Sequence, residues 1–444
     1  MKTKLYDYQQ KIVDQIIESG DYATGLFMKM GTGKTVTSLS VFEHLLHIGK
    51  CNKLLVVCLK CKIDDWNVDI INELGTDNGD VYFDYEVINF ESIWRAKRAE
   101  YYMDFVEDNT MIIIDESHKM KSNNSKISKF LLSIYKKTKY KLILTGTPQS
   151  KTYIDYYPQM KFIDSPLFDQ PYKDWEKKYV RKALDNFNGR YFYVIAGYNF
   201  TELMDDAISR KAHYHEYLSE YDKPIEIYTD IEHSKEAIKF QKDRVWRDPD
   251  IERMDDVIAD TPTALRTYMR QSCSGFIRNY DIGSPKLEWL KEFLEIEQSR
   301  IVIFTNFIRE IELIEEVCKK AGRPVGAYYG ARKDLAPFKN NENGIAIVNY
   351  QSGAVGINDL CISNIGIFFG PPDGDHILME QAKSRLDRIG QTKQPVFYYL
   401  QTVGSVEKPI YNELKQGKDF DSKQFSIWLE HNGGAFNGNL EKNT

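Results

Sequence analysis

The chain has 444 residues, 42% of them hydrophobic, six cysteines and a formal net charge of −6. That is apolar material for two or three buried cores, with no run of ~18 apolar residues to cross a bilayer. Six cysteines spread over this length exclude a disulfide framework, and the opening MKTKLYDYQQ lacks the apolar stretch of a secretory signal, so the expectation is a cytoplasmic protein with no membrane partner.

The first element in chain order with chemical content is TGLFMKMGTGKTVTSLSVFEHLL, an apolar strand, a glycine-containing loop and a helix with apolar positions at Val36, Leu39, Val41, Phe42, Leu45 and Leu46. The backbone amides of such a loop and the positive end of the following helix cradle phosphate. Gly31 and Gly33 let the backbone around Thr32 turn without a Cβ clash. Lys34 is placed to reach the β and γ phosphates of a nucleotide, and the Thr35 hydroxyl to bind magnesium. Met28 stands where the usual pattern has Gly or Ala.

KLLVVCL near residue 53 predicts a buried strand. Cys58 and Cys61 form a CxxC beside Cys51, but zinc requires four ligands and no second pair follows at suitable spacing, so buried thiols are the better account. TMIIIDE near residue 110 predicts another buried strand, which puts Asp115 and Glu116 at its carboxyl end, where open α/β sheets hold ligands. Asp115 is suited to magnesium and Glu116 to orienting or deprotonating the attacking water. The lysines from Lys119 to Lys141 read as a solvated helix face. KLILTGT near 141 is a third strand of the same kind.

The interval 151–280 is rich in aromatic and charged residues, and much of it is expected to be helical insertion. One candidate strand, PIEIYTDI near 224, is expected to close the first lobe. RIVIFTN, GIAIVNY, NIGIFFG and PVFYYLQ then predict a second set of parallel strands buried on both faces. The expected fold is α/β with two parallel sheets: a first lobe over 1–225 with a helical insertion at about 151–215, a helical connector over 226–280, and a second lobe over 281–444. Trp94, Tyr153, Tyr156, Tyr157 and Trp175 are candidate stacking partners for bases, with core packing the stronger account of each.

The loop and the acidic strand by themselves specify only a nucleotide hydrolase or transferase. LTGTP at Leu144 to Pro148 resembles helicase motif III, and QAKSRLDRIGQ at Gln381 to Gln391 resembles motif VI of the SWI/SNF-like branch of superfamily-two helicases. In that branch the segment reads approximately QAxDRxHRIGQ, so Gln381, Arg385, Arg388, Gly390 and Gln391 fall in register, with Ser384 and Asp387 departing from it. LYDYQ resembles the adenine-reading Q motif through Tyr8 and Gln9; LLVVCLKCKIDDW resembles motif Ia, VINFES motif Ib, VIFTNF motif IV, and SGAVGIN motif V through Gly353, Gly356 and Asn358. SPKLEWLKEFL and GSVEKPI also match family segments, and the resemblance runs from about residue 5 to about 412. Among relatives it looks similar to small phage-encoded DNA helicases.

The resemblance implies two RecA-like lobes, ATP and Mg2+ as cofactors, and DNA, duplex, branched or tailed, in preference to RNA, as the partner of a monomeric motor. It places Gly356 at the nucleotide, makes Thr145, Gly146 and Thr147 the coupling segment, and makes Gln381, Arg385 and Arg388 catalytic, the arginines lying at i and i+3 on one helix face. The expected activity is ATP-dependent translocation that remodels duplex or branched DNA in replication, recombination or repair. Two alternatives stand beside it: a conventional strand-separating helicase on single-stranded tails, RNA included, and a nucleotide-switched clamp that does not move.

Overall fold

The computed structural model describes residues 1–75, 81–146, 152–187, 190–215, 223–246, 257–353, 359–388 and 390–432. The chain divides into two compact units, Met1–Tyr217 and Leu218–Thr444. Each is an α/β unit built on its own sheet.

In unit 1, β1 (Ala23–Met28), β2 (Lys53–Cys58), β3 (Asp84–Asn89), β4 (Thr110–Asp115) and β5 (Tyr140–Thr145) are followed by a separate hairpin, β6 (Val180–Phe187) and β7 (Arg190–Tyr198), and then by β8 (Ala212–His215). The main sheet runs β3-β2-β4-β5-β1-β8, and every pairing in it is parallel. Alternate side chains explain why β2, β4 and β5 read as unbroken apolar runs. Leu54, Val56, Met111, Ile113, Leu142 and Leu144 enter one core, whereas Leu55, Val57, Ile112, Ile114 and Ile143 enter the other. A sheet covered on both faces has no polar side to show in sequence.

Unit 2 contains β9 (Ile225–Ile231), the short pairs β10 (Val245–Trp246) with β11 (Val257–Ile258) and β12 (Phe276–Ile277) with β13 (Tyr280–Asp281), and then β14 (Ile301–Thr305), β15 (Val325–Tyr329), β16 (Arg332–Asp334), β17 (Ile345–Asn349), β18 (Ile365–Phe368) and β19 (Val396–Thr402). Its sheet runs β16-β15-β17-β14-β18-β19-β9, parallel except for the β15–β16 pair. Val302, Phe304, Ala346 and Val348 line one core, and Ile301, Ile303, Ile345 and Ile347 the other.

The seven apolar runs are all strands, but the expected boundaries shift. PIEIYTDI does not close the first lobe: as β9 it pairs in parallel with β19 from Ile225 to Ile231, and the strand that ends the first sheet is β8. Nor is 226–280 a detached helical connector, because Ala237, Phe240, Leu265 and Met269 are buried in the core of unit 2. The insertion at 151–215 is only partly helical, since it holds the β6–β7 hairpin and β8. Of the candidate stacking aromatics, Tyr156, Tyr157 and Trp175 are buried, and Trp94 and Tyr153 pack against the same core. No helix among the described residues is long and apolar enough to cross a membrane.

A buried ion pair joins two segments that are far apart in sequence. Lys286, from SPKLEWLKEFL, lies 2.6 Å from Glu407, from GSVEKPI, with side chains 0% and 1% exposed. Lys286 Nζ also donates to the Phe369 carbonyl at 2.7 Å, and the second Glu407 oxygen accepts from the Thr402 amide at 2.9 Å. Both charges are thereby satisfied, and removing one leaves the other desolvated. Lys286→Ala or Glu407→Ala is expected to destabilise unit 2 by roughly 3–5 kcal/mol, while the apolar pair Lys286→Met with Glu407→Leu recovers most of that loss. Chemical denaturation of the single and double variants measures both effects.

Candidate nucleotide site

The parallel register of unit 1 sets the site. Phe27 pairs with Thr145, Met28 with His215, and Asp115 with Leu144, so the carboxyl ends of β1, β4, β5 and β8 lie along one edge of the sheet. Ligands of open parallel sheets bind beyond such an edge.

The loop leaving β1 carries Gly31 at φ 79° and Gly33 at φ 76°, both in the left-handed region that glycine occupies without penalty. Gly33 caps the helix α2 (Lys34–His47). Lys34 Nζ donates to the carbonyls of Met28 at 3.0 Å and Lys29 at 3.3 Å, so the cation is held over the loop. Thr32 Oγ1 donates to Lys29 O at 2.6 Å, and the Thr35 side chain, half-buried, sits in the first turn of α2.

The first helix, α1 (Asp7–Ser19), brings Tyr8 and Gln9 onto this loop. The Thr32 carbonyl accepts from the Tyr8 hydroxyl at 2.8 Å and from Gln9 Nε2 at 3.0 Å, and Gln9 Oε1 accepts from the Tyr6 amide at 2.9 Å. Gln9 is only 4% exposed. Its amide, expected to face adenine, here ties α1 to the phosphate loop. A Cβ on Gly33 would stand 2.2 Å from Gln9 Nε2, so Gly33 is required both by its φ and by this contact. Tyr8 also stacks on His215, with ring centroids 3.8 Å apart and planes within 2°.

Asp115 ends β4, and Glu116 follows in the left-handed conformation at φ 54°, which costs a non-glycine residue of order 1–3 kcal/mol and persists where the surroundings enforce it. Asp115 Oδ2 accepts from the Trp66 indole at 3.0 Å, Trp66 being part of α3 (Ile63–Leu74). Burial first, and then the neighbouring Glu116, raise the Asp115 carboxyl above its ordinary range, against opposing pulls from Trp66, Lys62 and Lys34. Lys34 and Asp115 are therefore close enough to feel each other's charge. A carboxylate held up by desolvation and a like charge is relieved by a cation, and a carboxylate with a hydroxyl is a hard oxygen set of the kind magnesium takes. Asp115 and Thr35 are of the donor type that Mg2+ takes and would be the residues to hold it. Among the described residues no group of three or more His, Cys, Asp or Glu side chains forms a metal cage.

His118 was not singled out from the sequence. Buried at the end of the DESH segment, its Nδ1 lies 3.3 Å from Glu116 Oε2 and 3.2 Å from Thr145 Oγ1, so it connects the acidic strand with the expected coupling segment. Ser117 Oγ donates to Gln159 Oε1 at 2.8 Å. A Cβ on Gly146 would meet Met30 at 3.2 Å and the Met28 carbonyl at 3.4 Å, which places Gly146 against the phosphate loop. Thr147 lies outside the described residues. The detectable signal for His118 was its position, three residues after Asp115 in a segment otherwise absorbed by the motif.

In unit 2 the helix carrying Gln381 spans His376–Lys383 and is capped by Ser384. Arg385 and Arg388 are therefore not on a helix face: they lie in the turn beyond its end, where Arg385 N bonds to Ala382 O and Gln391 N to Arg388 O, each at 3.1 Å. Both arginine side chains are half-buried. The turn is stapled by Gln391, whose Nε2 donates to the carbonyls of Ser363, Cys361 and Leu386 at 2.8, 3.1 and 3.2 Å. Gln381 is buried, and Gly356 lies outside the described residues.

Residues 81–213, which include Asp115, Glu116, His118 and Thr145, match the family model of the SNF2-related domain. The chain is 24% identical over 446 residues to the chromatin remodeling factor mit1 of Schizosaccharomyces pombe, covering 87% of this chain and 30% of that protein. It is 22% identical to the ATP-dependent helicase FUN30 of Saccharomyces cerevisiae, covering 94% of this chain and 46% of that protein. The chain thus spans less than half the length of these curated relatives. A solved structure of the Sulfolobus solfataricus SWI2/SNF2 ATPase core in complex with dsDNA aligns with a TM-score of 0.44 and 21% identity, covering 97% of this chain and 95% of that one.

Gly33→Ala is expected to weaken ATP binding about tenfold or more, because the loop must give up a left-handed residue or hold it under strain. Adding Gln9→Ala removes the clash but leaves φ unchanged, so it restores only part of the affinity. Titration with a fluorescent ATP analogue distinguishes the two contributions.

Proposed function

We propose that the chain is a DNA-stimulated ATPase that translocates on duplex or branched DNA and remodels forks or junctions. The observation that carries this reading is the convergence, at one sheet edge of unit 1, of the phosphate loop, the Asp115–Glu116 pair and the His118–Thr145 link. The SNF2-related domain match over residues 81–213, which covers the Asp115–Glu116 pair and Thr145, relatives named as a chromatin remodeling factor and an ATP-dependent helicase, and the QAKSRLDRIGQ segment support it.

Lys34 exchanges the Met28 and Lys29 carbonyls for phosphate oxygens when ATP enters, while the amides of Gly31 to Gly33 cradle the chain of phosphates. Asp115 and Thr35 are the residues that would hold magnesium, which would supply charge neutralisation at the phosphates. Glu116, its backbone set by the left-handed turn, orients the attacking water and accepts its proton. His118 is hydrogen-bonded to Thr145 and in contact with Glu116, so a change at the γ-phosphate is felt at the segment that follows β5. The resemblance of QAKSRLDRIGQ to motif VI is what assigns Arg385 and Arg388, with Gln381, to charge stabilisation, a role worth ~10³ to 10⁵ in rate in related phosphoryl-transfer systems. DNA is gripped through its phosphates by backbone amides, hydroxyls and lysines, which makes binding salt-dependent and largely blind to sequence.

ATP turnover should rise several-fold with duplex or four-way-junction DNA over protein alone; equal rates without nucleic acid and with single strands, duplex and junctions would sink the motor. Lys34→Ala is expected to abolish turnover. Glu116→Gln should keep ATP affinity while slowing hydrolysis by on the order of 10² or more. If it instead left DNA remodelling intact, a nucleotide-switched clamp would be the better account.

A further inference from the structure

The β6–β7 hairpin is largely exposed beyond its base. Its base is anchored: Tyr179 and Val180 enter the core, the Asn199 amide bonds to the Tyr179 carbonyl at 2.8 Å, and Lys182 pairs with Glu176 at 2.7 Å. Beyond that base, Arg181, Ala183, Leu184 and Asp185 on one strand and Tyr191 and Tyr193 on the other are all exposed, so residues on both faces meet solvent. A two-stranded hairpin without a covering layer is marginal in water, and an exposed apolar stripe on one marks a binding surface.

That stripe is specific in composition. The register sets Leu184 opposite Tyr193 and Lys182 opposite Ile195, and with the period of two along a strand Tyr191, Tyr193 and Ile195 share one face. They are 69%, 73% and 43% exposed, and Leu184 is 60% exposed. Successive rings on that face are about 6.8 Å apart along the strand, twice the ~3.4 Å rise of stacked bases, leaving the width of one base between them. The local charge is opposite to that of the whole chain. Between Tyr172 and Tyr191 there are six basic and three acidic residues, in a chain of net charge −6. Tyrosine rings flanked by a cationic surface match a nucleic-acid strand with unpaired bases, where base–aromatic stacking supplies affinity and cations meet the phosphates.

We propose that the β6–β7 hairpin is a single-strand-binding element, in which Tyr191 and Tyr193 stack on unpaired nucleobases and so hold strands apart once separated. This rests on the nucleic-acid motor proposed above and assigns that motor a site for unpaired bases. Tyrosine is suited to the role because it presents a large rigid face at low cost in conformational entropy.

The test uses the full chain carrying Tyr191→Ala with Tyr193→Ala, and a second variant with both changed to Phe. Anisotropy of a labelled oligothymidylate should show single-strand affinity falling about tenfold or more in the Ala variant and holding within about twofold in the Phe variant, which keeps the ring faces. Duplex-stimulated ATP turnover should be unchanged in both, and strand displacement from a tailed duplex should fall with the Ala pair only. Unchanged oligothymidylate affinity in the Ala variant overturns the proposal. Loss of self-association by sedimentation with no change in that affinity also overturns it, since the face would then join copies of this chain. If the unmodified chain shows no nucleic-acid-stimulated turnover, the motor fails, while the oligothymidylate comparison still decides the hairpin.

Discussion

The parallel pairing of β4 with β5, β5 with β1 and β1 with β8 is the constraint on which the rest of unit 1 depends. Parallel strands must be joined by crossovers, so every loop that follows a strand leaves from the same edge. Residues more than a hundred positions apart, such as Phe27 and Thr145, become neighbours in one rank because their strands share a register. The burial of β1, β4 and β5 on both faces keeps that register from slipping, since a one-residue shift would exchange the contents of two separate cores.

On that edge the chain places its strained and its desolvated groups together. Gly31, Gly33 and Glu116 all occupy left-handed backbone conformations, and Asp115 is a half-buried carboxyl supported by the Trp66 indole. Gln9 and Tyr8 converge on the Thr32 carbonyl, so the loop's shape depends on a helix that precedes it. Such concentration of local cost, against a background of well-packed apolar strands, is characteristic of sites where function and not stability sets the conformation.

Much of this was legible in the residues. The seven apolar runs announced their strands because full burial leaves nothing but β-branched and aliphatic side chains. Glycines flanking Thr32 before Lys34, and carboxylates ending such a run, are local patterns with a local cause. The hairpin was missed although Asn188 and Gly189, between two alternating segments, are a hairpin signal; the density of charged residues there suggested helix instead. The arginines were expected on a helix face, but Ser384 ends the helix and Gln391, bonded to three carbonyls, holds the following turn. No helical periodicity could have revealed that staple, because its partners come from residues 361, 363 and 386.

The sequence by itself determined which chemical groups are present and which short segments carry them: the phosphate loop, the Asp115–Glu116 pair, the arginine-containing segment and the apolar strands of two sheets. These follow from side-chain periodicity and from spacing within about ten residues, where the backbone has few ways to arrange itself. Only the tertiary structure decided which of them meet. It assigned β9 to the second sheet, paired Lys286 with Glu407 across 121 positions, set His118 between Glu116 and Thr145, and left Tyr191 and Tyr193 in solvent. Those outcomes depend on long-range pairing and on what remains uncovered once the cores are filled, and no local pattern of residues contains that information.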